Sequence, residues 1–259
     1  MKKLLFISKS IRLFLCFCLS ILLLINVISV RAQEQDKFLE DEILRASGMP
    51  QDEIDALDND IKKFIVNDLK NNANLSDLKY IDISDSLSPS VPKEIRPLVN
   101  QVFYDIKFYV SAFKSGDVIY IYPTYEFTED HQPKGKDSFS FQLGDAMRPY
   151  EYGGQIWYKD YTMSDWALGG SLVANNQGFN GAEYSGAQLG SPDWPMKMKG
   201  CAYCHAQVGT GSDKRIIMSY MHNPKGEPYS ISFSVRGLGI TYNSSATIYT
   251  NASTFVLSY

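Results

Sequence analysis

The chain of 259 residues has only three histidines, four cysteines and three tryptophans, and these shortages narrow its chemistry at the outset. His131, His205 and His222 stand far apart, and no H-E-x-x-H helix, G-x-S-x-G elbow or G-x-x-x-x-G-K-[ST] loop occurs. The sequence frames of metalloproteases, serine hydrolases and phosphate-binding enzymes are therefore missing. No catalytic residue and no metal ligand set is assigned, His131 is expected on a surface loop, and a non-enzyme is expected overall. A glycosidase needs only two spaced carboxylates; Asp145, Glu151, Asp160, Asp165, Glu183 and Asp193 supply acids, at a density ordinary for a surface. A basic excess is lacking too. With 25 Lys and Arg against 29 Asp and Glu, nothing here displaces counterions from a nucleic acid, and no such partner is expected. The sequence has no internal repeat of solenoid or propeller period.

The one long apolar run lies at the N-terminus. Lys2, Lys3, Lys9 and Arg12 precede an apolar stretch at residues 13–25, and Val30-Arg31-Ala32 places small residues around a cleavage point before Gln33. This tripartite pattern predicts a signal peptide over residues 1–32, cleaved near Ala32/Gln33, and a secreted or extracytoplasmic protein. The rival reading, an uncleaved anchor, has Ser20, Asn26 and Ser29 interrupting its span. Cleavage would remove Cys16 and Cys18 and leave no stable membrane span, since no comparable run follows. It would also remove five cations and shift the formal charge from -4 to -9.

Residues 33–77 read as an acidic helical segment. Between residues 33 and 60, ten acids are set against Lys37 and Arg45, the composition of a solvated helix face. Phe38, Ile43 and Leu44 suggest a short helix ended by Gly48, with Pro50 as the first residue of the next. In that second helix Ile54, Leu57, Ile61, Phe64, Ile65 and Leu69 recur at three- and four-residue steps, acids leading and Lys62, Lys63 and Lys70 following. Such a stripe needs a cover. Either it packs on the domain that follows, or it is a separable arm or pro-segment.

Residues 78–100 contain a first short strand and a linker broken by Pro89, Pro92 and Pro97. Over residues 101–259 the period is two. The β-branched and aromatic runs 102–113 and 118–127 flank a Gly-containing turn and predict a hairpin. Further strands are expected at 138–143, 155–161, 168–174, 182–189, 196–208, 215–221, 229–235, 239–242 and 247–258. Strands separated by Gly, Asn and Pro, without intervening helices, predict a mainly β chain: an antiparallel β-sandwich or jelly-roll-like domain, α+β overall once the helical segment is counted.

Cys201-Ala202-Tyr203-Cys204-His205 matches the C-x-x-C-H pattern of c-type haem attachment. Two thioethers need both sulfurs on one side of the backbone, which a helical turn provides. Here the flanks alternate instead. Met196, Met198, Ala202, Cys204, Ala206 and Val208 share one parity, and Lys197, Lys199, Cys201, Tyr203, His205 and Gln207 the other, so a strand sends the two thiols to opposite faces. The first expectation is a buried Cys204, an exposed or partly covered Cys201, and no cofactor. A Cys201-Cys204 disulfide is the second, and haem c with His205 as an axial ligand the third.

Trp157, Tyr158, Tyr161, Trp166 and Trp194 are the candidate ligand-binding residues, because aromatic faces beside Asp, Asn and Gln suit sugar rings. The alternative is that they fill the core, and Trp157 and Tyr161 share a parity opposite to Tyr158. The loop Asn175-Asn176-Gln177-Gly178 lies near enough to complete a site. The expected function is non-catalytic binding of a carbohydrate or cell-envelope component. The serine-alternating stretch 229–235 and the Ser/Thr/Asn-rich stretch 241–258 support a second reading, a secreted antimicrobial or pore-forming toxin with an N-terminal pro-segment, and the haem protein is the third.

Overall fold

The computed structural model describes residues 37–85, 106–132, 136–185, 196–235 and 237–259. The expected signal peptide, the Pro-containing stretch 86–105 and Trp194 lie outside these residues.

Helix α1 (37–46) stops where Gly48 takes φ 93°, letting its N–H reach the Arg45 carbonyl at 3.0 Å and the Met49 N–H reach the Leu44 carbonyl at 3.2 Å. The apolar stripe expected to run as one helix is cut into α2 (Gln51–Ala56) and α3 (Asn59–Asn72). Asp58 makes the cut. Its carboxylate accepts from the backbone N–H of Asp60 at 2.9 Å and of Ile61 at 3.4 Å, starting a new helix where periodicity alone would continue the old one. Pro50 is the N-cap of α2 rather than its first helical residue.

The rest is antiparallel sheet. Strands β1 (Lys79–Tyr80), β2 (Asp82–Asp85), β3 (Ile106–Ser115), β4 (Val118–Phe127), β5 (Ser138–Leu143), β6 (Met147–Lys159) and β7 (Ala167–Leu172) are followed by β8 (Asn176–Gly178), β9 (Gly181–Ser185), β10 (Lys197–Val208), β11 (Arg215–His222), β12 (Tyr229–Phe233), β13 (Ile240–Ser244) and β14 (Tyr249–Ser258). Among the described residues they form one sheet in the order β1-β3-β4-β10-β6-β7, a second in the order β2-β14-β11-β5-β9-β8, and a β12-β13 hairpin. The chain passes from the first sheet to the second at Ile81. The expected strand 155–161 is only the second half of β6, whose first half carries Pro149, Gly153 and Gly154. Gly154 is required there: a Cβ would lie 2.6 Å from the Cys201 carbonyl oxygen of the neighbouring strand.

Packing stacks these elements in layers. Between the sheets lies an apolar core that includes Ile121, Tyr125, Phe139, Phe141, Met198, Cys204, Met218 and Phe255. On the outer face of the first sheet, Leu44, Ile54, Ile61, Ile65, Val66 and Leu69 of the helices meet Phe113, Tyr120, Tyr122, Trp157 and Cys201. The helical stripe is thus covered by the sheet of its own chain. On the outer face of the second sheet, the hairpin packs through Tyr229, Ile231, Ile240 and Tyr242 over Met221 and Ile248. The serine-alternating stretch supplies β12 of this hairpin, while β14 is an inner strand paired with β2 on one edge and β11 on the other.

Candidate functional site

Strand β10 divides its residues as the alternation requires. Met198, Ala202, Cys204 and Ala206 enter the core between the sheets, and Cys201 and Tyr203 meet the helices. The expectation of an exposed or partly covered Cys201 is corrected: the helical layer buries it completely, and both Cys201 and Cys204 are free and buried. Burial pushes the Cys201 thiol up to about 12, only partly offset by the 3.2 Å hydrogen bond from Thr124 Oγ1. Burial also raises the Cys204 thiol.

On the helix face of β10, His205 is held between two carboxylates. Its Nε2 lies 2.8 Å from Asp68 Oδ2 of α3, and its Nδ1 lies 3.0 Å from Glu151 Oε2 of β6. Donation from both ring nitrogens requires the imidazolium. Burial opposes that charge, but Asp68 and then Glu151 outweigh it and raise the pKa. With the thiols on opposite faces and both His205 nitrogens engaged, these residues do not fit a covalently attached haem. Six residues before His205 on the same strand, Lys199 is fully buried and bonded to Asp58 and Asp60 of the α3 N-terminus, the latter at 2.8 Å.

Among the described residues, the aromatic candidates Trp157, Tyr158, Tyr161 and Trp166 do not meet on one surface. Trp157 is 5% exposed and packs edge-on against Phe64 of α3. Trp157 and Trp166 both lie near the Lys199 ammonium, at 5.7 and 4.2 Å from ring centre to nitrogen, so they belong to the helix–sheet junction. Tyr158 packs against the core between the sheets, opposite Trp157, and Tyr161 stands 86% exposed in the turn after β6.

Instead, the second sheet and its hairpin build a polar cleft of about 480 Å³ lined by Lys136, Asn175, Asn176, Glu183, Ser185, Tyr229, Ser230 and Ile231. Glu183 of β9 lies at its base, 1% exposed. One carboxylate oxygen accepts from Ser138 Oγ at 2.9 Å and from the Tyr229 hydroxyl, and the other accepts from Asn176 Nδ2 at 2.6 Å. A buried carboxylate satisfied in this way fixes the surrounding donors. Burial, followed by the bond to Glu183, raises the Tyr229 pKa, so its hydroxyl remains a donor. The Asn175 side chain caps the cleft edge by accepting from the Ser185 N–H at 2.9 Å. The sequence signals were the Asn175-Asn176 pair and one acid among six; the closure by Tyr229 rests on a contact across 46 residues.

His131 is also placed differently from expectation. It is 5% exposed, stacked on Phe127 at 4.2 Å, because its backbone pairs with Met196 through bonds of 2.8 and 2.9 Å.

No family model matches the sequence, and no curated protein matches it. Solved structures overlap with it in part. The collagen-binding domain from a Staphylococcus aureus adhesin gives a TM-score of 0.28 at 8% identity, covering 56% of this chain and 95% of that one. The collagen-binding subdomain of the Enterococcus faecalis surface protein ACE gives 0.28 at 7% identity, covering 57% and 94%. AvmM, which catalyzes macrocyclization in alchivemycin A biosynthesis, gives 0.20 at 10% identity, covering 57% and 87%. At these scores the fold stands on its own strand pairings, and no function is drawn from the overlaps.

Proposed function

We propose that the protein is an exported, non-catalytic binding module whose ligand is a carbohydrate or glycan of the cell envelope, held in the cleft above Glu183. The observation that carries this reading is the buried carboxylate ordering Asn176 and Tyr229 in an open, polar recess. Sugar recognition exchanges hydroxyl–water hydrogen bonds for bonds to such pre-oriented amide and hydroxyl groups, beside a ring face of the kind Tyr229 offers. Among the described residues lining the cleft, Glu183 is the one carboxylate, whereas glycoside hydrolysis uses a pair; this favours binding over turnover.

The test is a panel of insoluble polysaccharides and peptidoglycan mixed with the purified protein, followed by calorimetry with oligosaccharides of whichever material retains it. Substituting Glu183→Gln removes the charge that orders the donors, and a charged hydrogen bond is worth about 1.5–3 kcal/mol, so Kd should rise roughly tenfold or more. Tyr161→Ala, far out on the surface, should leave Kd unchanged. Retention by none of the materials, or equal affinity in wild type and Glu183→Gln, refutes the assignment.

A further inference from the structure

His131, Asp137 and His222 converge at one end of the core between the sheets. His131 lies on the loop leaving β4, Asp137 stands immediately before β5, and His222 ends β11. His131 Nε2 is 3.1 Å from Asp137 Oδ2, and His222 Nδ1 lies 3.1 and 3.0 Å from Asp137 Oδ1 and Oδ2. One donor atom from each of the three residues lies within 4.8 Å of the others. The group is enclosed, with side-chain exposures of 4% for His131, 0% for Asp137 and 12% for His222. Its framework is fixed by the Phe127 stack, by Met196 bonded to the His131 backbone, and by the Asn223 N–H donating to Asp137 Oδ1 at 2.9 Å.

Beside the three donors, Asn223 carries an unsatisfied acceptor of its own. Asn223 is fully buried, and its side-chain Oδ1 is an acceptor with no hydrogen-bond partner, although its Nδ2 donates to the Glu227 carbonyl at 2.7 Å. An unsatisfied buried carbonyl costs about 1–3 kcal/mol in general, and here it belongs to the residue next to His222 and bonded to Asp137.

We propose that His131, Asp137 and His222 form a binding site for a divalent transition-metal ion of the zinc type. Two imidazoles and one carboxylate are the donor set of such ions, while calcium and magnesium favour all-oxygen shells. The spacing agrees: bonds of 2.0–2.2 Å in a tetrahedron put neighbouring donors roughly 3.3 Å apart, close to the His–Asp separations. The imidazole pair, at most 4.8 Å apart, needs to close by at most about 1.5 Å to reach that tetrahedral spacing. An ion held there ties the loop between the sheets to β11. It also steadies Lys136 and Ser138, which flank Asp137 and respectively line the cleft and bond Glu183. The proposal stands apart from the carbohydrate reading and survives its failure.

The experiment uses untagged, chelator-treated protein equilibrated with zinc chloride and freed of unbound metal. Wild type should retain one zinc per chain and melt at a higher temperature than the metal-free form. His222→Gln should retain none, and His205→Gln, altered in the other carboxylate–imidazole cluster, should still retain one. Replacing zinc with cobalt(II) chloride gives a readout on wild type alone, which decides the matter even if His222→Gln fails to fold: intense visible absorption marks a four-coordinate site with imidazole ligands. Absence of retained zinc in wild type, equal retention by His222→Gln, a weak octahedral cobalt spectrum, or equal uptake of calcium would each overturn the proposal.

Discussion

Neutralising His205 should loosen the helical layer, and the effect should depend on pH in one direction. The imidazolium joins α3 to β10 and β6 through Asp68 and Glu151, and its side chain is 2% exposed. The bond to Asp68, 9% exposed, is a charged hydrogen bond of about 1.5–3 kcal/mol. The bond to Glu151, 49% exposed, is worth under about 1 kcal/mol because solvent screens it. His205→Gln should therefore cost about 2 kcal/mol below pH 6, which for a domain of this size lowers Tm by roughly 4–8 °C. A pKa raised above the unfolded imidazole value of about 6.5 contributes stability that is complete below that value and is lost as pH rises through the folded pKa. The gap between wild type and variant must then shrink from pH 6 towards pH 9. Tyr120, Tyr122, Tyr150 and Tyr203 face the same cluster, but each has its pKa raised above the ordinary value and carries no charge in this window. Thermal unfolding followed by circular dichroism at several pH values measures the gap. A gap that stays constant or widens with pH would refute the charged His205 bridge.

Asp58→Ala removes the α3 N-cap and one of the two acids bonded to buried Lys199; a cap alone costs about 1 kcal/mol, and the chemical denaturation midpoint should fall by more than for Asp60→Ala, which keeps the cap. The Cys201 and Cys204 thiols, both fully buried and raised in pKa, should react with a thiol reagent in the native protein far more slowly than in denaturant. Intact mass should likewise be unchanged by reduction, since opposite faces of β10 forbid the bridge; a gain of about two daltons, one hydrogen on each sulfur, would contradict the strand geometry.

The sandwich was legible because half-buried strands announce themselves by alternation, and 118–127 and 138–143 coincide with β4 and β5. The opposite facing of Cys201 and Cys204 followed from the same parity. Alternation does not say what covers each face. Both faces of β10 are buried, one by the opposing sheet and one by α3, so Cys201 looked accessible from sequence and is not. Trp157 and Trp166 suggested a platform for the same reason, since their neighbours Phe64 and Lys199 lie far off in sequence. His131 and His222 meet across 91 positions through Asp137; no local spacing marks such a set.

The same two-sided burial bears on whether residues 33–77 can be removed, as a pro-segment would be. Leu44, Ile54, Ile61, Ile65, Val66 and Leu69 have no exposed surface. At about 1.5–3 kcal/mol for each large apolar side chain, the burial of these six is worth about 9–18 kcal/mol, as much as the whole net stability of an ordinary domain, about 5–15 kcal/mol. Removing the segment would also take Asp68 from His205, leaving Glu151, take both Asp58 and Asp60 from Lys199, and uncover Phe113, Tyr120, Tyr122 and Trp157 together. A chain beginning at residue 78 should therefore aggregate or bind a hydrophobic dye, where the chain beginning at Gln33 gives a cooperative melt. If the shorter chain is soluble and melts at the same temperature, the helices are dispensable and the helix–sheet interface contributes little to stability.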